Sequence, residues 1–152
     1  MSRAPFQVLV IPYRVKLDQE IEYCLFKRND PGEEYWQGIA GGGEADEQPI
    51  DAARREAFEE GGVPSTSTYI QLDSLSMLPV EHVSSYLWSQ RNSLMIPEYC
   101  FGVEVSNLEV HLSAEHSEYK WTDYEEALIL LKWDSNKNAL WELNYRLRNL
   151  IK

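Results

Sequence analysis

Two rhythms of apolar residues run along this chain. Phe6 to Arg14 (FQVLVIPYR) is almost continuously apolar, which predicts a strand buried on both faces. Ile21 to Lys27 (IEYCLFK) predicts a second strand, and the polar Leu17-Asp18-Gln19-Glu20 between them predicts a hairpin. Asn29-Asp30-Pro31-Gly32 signals a turn, and Trp36 to Ala40 a short extended piece running into Gly41-Gly42-Gly43. Pro49 to Gly61 predicts a helix: Pro49 suits its first position, Asp51 favours the positive end of its dipole, and Gly61-Gly62 stops it. Gln48 is a poor N-cap, so its start is open by a residue or two.

The β rhythm then returns. Tyr69 to Val80 predicts one long strand or a broken pair, Glu98 to Val105 another strand, and Glu118 to Thr122 a short one. Asp123 to Leu131 and Ser135 to Ile151 predict helices. In the last, Leu140, Leu143, Leu147, Leu150 and Ile151 form a core-facing stripe, with Ser135 or Asn136 as cap. Glu81 to Pro97 has no clear period and predicts a long loop of the kind that often carries function. No repeat, low-complexity tract or linker interrupts residues 1–152, so we expect one domain.

Composition narrows the options. The 152 residues, 43% of them hydrophobic, suffice for one sizeable core. Five tryptophans and nine tyrosines fill that core or stack on a flat ligand. A net charge of −11 argues against long DNA or RNA as a partner. It leaves room for a small phosphorylated substrate, provided cations neutralise the phosphates locally. Cys24 and Cys100 lie in apolar runs without close Cys or His companions, as expected of reduced core thiols in a cytoplasmic protein. We expect neither a signal peptide nor a membrane span, since no run reaches the roughly 18 apolar residues needed.

The chemistry concentrates in Gly41 to Val63, GGGEADEQPIDAARREAFEEGGV. Glu56, Glu59 and Glu60, spaced i, i+3, i+4, put three carboxylates on one helix face. Their repulsion costs stability, and a hard divalent cation such as Mg²⁺ removes it. Alone, the pattern more often marks a solvated acidic face. Its surroundings favour the metal platform. Glycines precede the helix and allow close approach of a ligand. Arg55 can brace the carboxylates by pairing with Asp51 or Glu59. Ala57 lets the helix lie close to the sheet, and Phe58 anchors another face.

Gly41, Glu47, Arg55, Glu56, Ala57, Glu59, Glu60, Gly62 and Val63 meet, without gaps, the signature of the Nudix family, which this chain resembles. Ala57 stands where leucine is commoner. The resemblance implies a Nudix-type α/β/α sandwich with a mixed central sheet and a catalytic loop–helix–loop. It implies Mg²⁺ or Mn²⁺ bound by Glu56, Glu59 and Glu60, helped by the Ala40 carbonyl, with Glu47 and Arg55 supporting loop and helix. A further carboxylate from a later loop is expected at Glu115, with Glu118 in reserve. Metal ions would bridge the diphosphate, and Glu115 or Glu59 would accept the proton from the attacking water. Lys27, Arg28 and Gly42 are candidate phosphate contacts; Trp36, Tyr86 and Trp88 are candidate stacking surfaces. Each also has an ordinary structural reading. His82, His111 and His116 are not spaced as a metal site.

Beyond the signature, Phe26-Lys-Arg-Asn-Asp30, Trp36-Gln37, Glu115-His116, Tyr119-Lys120-Trp121 and Trp133-Asp-Ser-Asn-Lys137 are similar to the bacterial dATP pyrophosphohydrolase branch, which also hydrolyses dihydroneopterin triphosphate. That implies a nucleoside triphosphate cleaved to monophosphate and pyrophosphate. Pro79, sixteen residues after Val63, instead resembles ADP-ribose pyrophosphatases, and a nucleotide sugar belongs with that alternative. A tyrosine there would point to dinucleoside polyphosphates. A non-catalytic nucleotide-binding module is the alternative of another class, and the family's frequent dimers leave a homodimer open.

Overall fold

The computed structural model describes residues 3–30, 32–80, 94–105 and 116–150. Among these the elements run β1 (Arg3–Val15), β2 (Ile21–Asp30), β3 (Glu33–Gln37), β4 (Ile39–Glu44), α1 (Pro49–Gly61), β5 (Tyr69–Pro79), β6 (Met95–Glu104), β7 (His116–Thr122), α2 (Tyr124–Leu130) and α3 (Asp134–Leu150).

The sheet is organised around β1. Its main path is β3-β2-β1-β6-β5, with β4 paired to β1 and β7 to β2. β1 and β6 run parallel while the other pairings are antiparallel, so the sheet is mixed. Val8 and Val10 of β1 join Phe26, Ile39, Ala53 and Ala57 in a core under α1. Leu9, Ile11 and Tyr13, alternating with them, join Ala127, Leu140, Leu143 and Leu147 under α2 and α3. Strand alternation thus explains why the apolar run of β1 has no polar face: helices cover both sides. This is the expected α/β/α sandwich.

Most predicted elements appear with shifted ends. The β1–β2 hairpin forms, closed by Lys16 N–H donating to the Glu20 carbonyl at 2.8 Å. Helix α1 covers the predicted residues and ends at Gly62, whose φ of 70° is left-handed. Tyr69–Pro79 is a single strand with an irregularity between Gln71 and Leu75. Cys24 and Cys100 are buried free thiols, and burial pushes both thiol pKa values up, Cys100 to about 12.

Four expectations are corrected. The glycine run is strand, because Gly41 and Gly42 pair with Val8 and Gln7. Most of the predicted loop from Glu81 to Pro97 lies outside the described residues, but Met95 to Pro97 belong to β6, paired with Pro79, Leu78 and Met77. Helix α3 starts at Asp134, ahead of both proposed caps. Asn136 instead turns inward, where its Oδ1 accepts the Gly38 N–H at 2.8 Å. Phe58 is not a buried anchor: it is 61% exposed. No helix of the described residues is long and apolar enough to cross a membrane.

Candidate active site at the edge of strand four

Strand β4 pairs with β1 along one side only, so among the described residues its other edge carries no strand. The Gly42 carbonyl accepts a 2.9 Å hydrogen bond from Arg55 Nη2, which places it on that outer edge. Carbonyls alternate in an extended strand, so the Ala40 carbonyl points the same way. Helix α1 lies along β4 and brings the signature carboxylates to this edge.

Arg55 organises the site. Its Nε donates to Glu47 Oε2 at 2.8 Å and its Nη2 to Glu47 Oε1 at 2.9 Å, a bidentate pair. Nη1 reaches Glu56 at 2.9 Å, Glu59 at 3.4 Å and Glu44 at 3.6 Å. Glu47 also accepts the Glu44 N–H at 2.8 Å and returns its own N–H to the Glu44 carbonyl, closing the turn between β4 and α1. Glu47, rather than Asp51, is therefore the partner that fixes Arg55. The Arg55 guanidinium holds the Glu47 carboxyl below its ordinary pKa, and Glu47, then Glu56, raises that of Arg55.

The three signature glutamates occupy different surroundings. Glu56 is partly buried and lies against Gly41, where a Cβ would fall 2.2 Å from its Cδ. Glu59 is half exposed. Glu60 is buried, at 5% exposure. Among the described residues no three Asp, Glu, His or Cys side chains converge on a common point for an ion. Their spacing along one turn is therefore not itself a formed platform, since Arg55 draws Glu56 and Glu59 towards itself. The donor set nevertheless fits a hard divalent cation: carboxylates and an outward carbonyl, all oxygen, with Gly41 leaving the room Glu56 needs.

The remaining candidates are distributed as follows. Lys27 is ion-paired with Glu34 at 2.9 Å and Glu118 at 3.3 Å, and these bonds raise its pKa. Arg28, on β2, pairs in register with Tyr35. Trp36 packs against the core under α2 and α3, and its carbonyl accepts the Lys132 N–H at 3.2 Å. Glu115, Tyr86, Trp88, His82 and His111 lie outside the described residues.

Sequence reading missed Arg3. A Cβ on Gly42 would fall 2.1 Å from its Cζ, so the guanidinium lies on that glycine. Burial lowers the Arg3 pKa, and the charges acting on it are Glu56, which opposes that shift, and Arg55, which adds to it. Arg3 lies 38 residues from the signature, and only the pairing of β1 with β4 brings it there.

Comparison with known proteins identifies the family. The NUDIX domain family model matches residues 7–142. The mouse bis(5'-nucleosyl)-tetraphosphatase (asymmetrical) is 30% identical over 128 residues, covering 84% of this chain and 82% of that protein. A Listeria monocytogenes structure ascribed to the NUDIX hydrolases is 39% identical, with a TM-score of 0.86 and 97% of each chain covered. The Escherichia coli dihydroneopterin triphosphate pyrophosphohydrolase shares the fold at 24% identity, with a TM-score of 0.72 and coverage of 95% of this chain and 99% of that one. The chain belongs to the NUDIX domain family. It is a Nudix hydrolase, an enzyme of phosphoanhydride bonds.

Proposed function

We propose that this chain, as a single catalytic domain, is a Mg²⁺- or Mn²⁺-dependent pyrophosphohydrolase of a nucleoside 5'-polyphosphate. Cleavage of a triphosphate such as dATP or dihydroneopterin triphosphate would give the monophosphate and pyrophosphate. The observation that carries this reading is the frame at the β4 edge: Glu47 and Arg55 fix the glycine strand to α1 and hold Glu56 beside Gly41. Glu56, Glu59, Glu60 and the Ala40 carbonyl are the groups that would hold the cation. When bound, the ion supplies charge neutralisation at the phosphates and a lowered pKa for its water.

The chain's own groups supply the rest. Glu47 keeps Arg55 anchored, so the Gly42 carbonyl and the Glu56 carboxylate hold a fixed relation. Glu59, half exposed and held less tightly by Arg55 than Glu56 is, is placed to accept a proton from water; Glu115 is the other candidate base. Lys27 would contact phosphate by giving up Glu34 or Glu118, and Arg28 lies one residue further along β2. The packing of the partly buried Trp36 against the core favours a structural role over base stacking.

A second reading, hydrolysis of a dinucleoside tetraphosphate, is favoured by the 30% identity to the mouse enzyme. The lack of tyrosine at position 79 is weak counter-evidence, because Pro79 closes β5 opposite Met95 as an ordinary strand end. The same placement weakens the ADP-ribose alternative. The experiment is a substrate panel with Mg²⁺: dATP and other triphosphates, dihydroneopterin triphosphate, a dinucleoside tetraphosphate and ADP-ribose, with products identified. Pyrophosphate released from a triphosphate supports the first reading. Cleavage confined to the dinucleotide moves the assignment to the second. Cleavage of ADP-ribose alone overturns both.

A further inference from the structure

Successive positions of β4 face opposite sides of the sheet. The Cβ directions of Gly41 and Gly43 meet Glu56 and Phe6, on the side covered by α1, whereas that of Gly42 meets Arg3. The β4 edge is thus bracketed, with the signature carboxylates on one face and a guanidinium on the other. Arg3 is held in place: its Nη2 donates to Gln7 Oε1 at 3.1 Å, and the Gln7 side chain in turn hydrogen-bonds the buried Glu98. Gly42 leaves room for the guanidinium to lie on the strand, and partial burial removes part of its water.

Polyphosphate at this edge needs cationic partners, all the more on a chain of net charge −11. Lys27 is committed to Glu34 and Glu118, and Arg55 to the acidic frame. A planar guanidinium pre-positioned on a backbone suits phosphate oxygens, because little ordering is left to be done on binding. We infer that Arg3 is a substrate-binding residue, contacting a phosphate of the substrate from the face of β4 opposite the signature glutamates. This rests on the proposed function for the identity of the substrate, but the phosphate contact can be tested separately.

The test is calorimetric titration of inorganic pyrophosphate with Mg²⁺ into the full chain, comparing Arg3→Gln, Arg3→Lys and the unaltered protein. Loss of a charge-assisted contact predicts at least ~10-fold weaker pyrophosphate binding for Arg3→Gln, with partial recovery in Arg3→Lys. KM for the substrate found in the panel should rise by a similar factor, with a smaller change in kcat. Should Arg3→Gln fail to fold, Gly42→Ala displaces the same guanidinium and should weaken pyrophosphate in the same way. Unchanged pyrophosphate affinity in a folded variant, or no binding by the unaltered protein, overturns the inference. Tight pyrophosphate binding that needs Arg3, without turnover of any nucleotide, upholds the inference and sinks the proposed function.

Discussion

Replacing Glu47 by Gln removes one charge and preserves shape, and the structure sets what that should do. Glu47 makes two short bonds to Arg55, and its Oε1 also accepts the Glu44 N–H. Both partners are about one-fifth exposed, so screening reduces their Coulomb energy. A glutamine still accepts one bond, leaving a cost of about 1–2 kcal/mol. For a chain of this size that is a fall in Tm of roughly 2–8 °C. The pH dependence is specific. Arg55 depresses the folded pKa of Glu47 below its ordinary 4.5, so its stabilisation is present above 4.5 and disappears as pH falls through the folded value. The gap between unaltered and variant protein in urea denaturation should be full at pH 7 and shrink below pH 4.5. Catalysis should suffer more than stability, because the released Arg55 can close on Glu56, already 2.9 Å away. A gap independent of pH, or a variant with full stability and activity, would refute this account of the frame.

Other residues carry further expectations. In Gly41→Ala the new Cβ would displace the Glu56 carboxylate, which is the end of a flexible side chain; turnover should fall about 100-fold with less than about 1 kcal/mol of stability lost, read from kinetics beside thermal melts. Burial raises the Glu98 pKa, so its contribution is favourable below the unfolded value of 4.5 and is lost as pH rises through the folded one. Glu98→Gln should therefore melt higher than the unaltered protein by the equivalent of about 1 kcal/mol at pH 8, with no advantage at pH 4; a lower Tm at pH 8 contradicts this. Asn136→Ala leaves the buried Gly38 N–H without its acceptor and should cost about 1–3 kcal/mol by chemical denaturation.

What the sequence made legible follows from how local each signal is. Helix α1 was readable, with only its start open by a residue or two, because Pro49, Gly61 and Gly62 act on their own neighbourhood. The two-sided burial of β1 was readable because Val8 to Ile11 leave no polar face to expose. The extended piece predicted to end at Ala40 runs on to Glu44, because pairing with β1 keeps the glycines in the strand, and no local signal marks that pairing. Asn136 looks like a cap by type, yet its acceptor is spent on Gly38, 98 residues away. Arg3 carried no local signal, since strand pairing alone brings it to Gly42. The i, i+3, i+4 rule placed the glutamates on one turn and the i+4 spacing foresaw Arg55 on Glu59, but neither foresaw its shorter bond to Glu56.

Under the proposed function, this edge of β4 hydrolyses a nucleotide phosphoanhydride with its signature glutamates. The most direct test is product analysis with Mg²⁺ for the unaltered protein and Glu60→Gln, each confirmed folded by circular dichroism. The former should release pyrophosphate or a nucleoside monophosphate, and the latter should turn over at least ~100-fold more slowly. Equal turnover by the two would remove the signature from the mechanism and contradict the account.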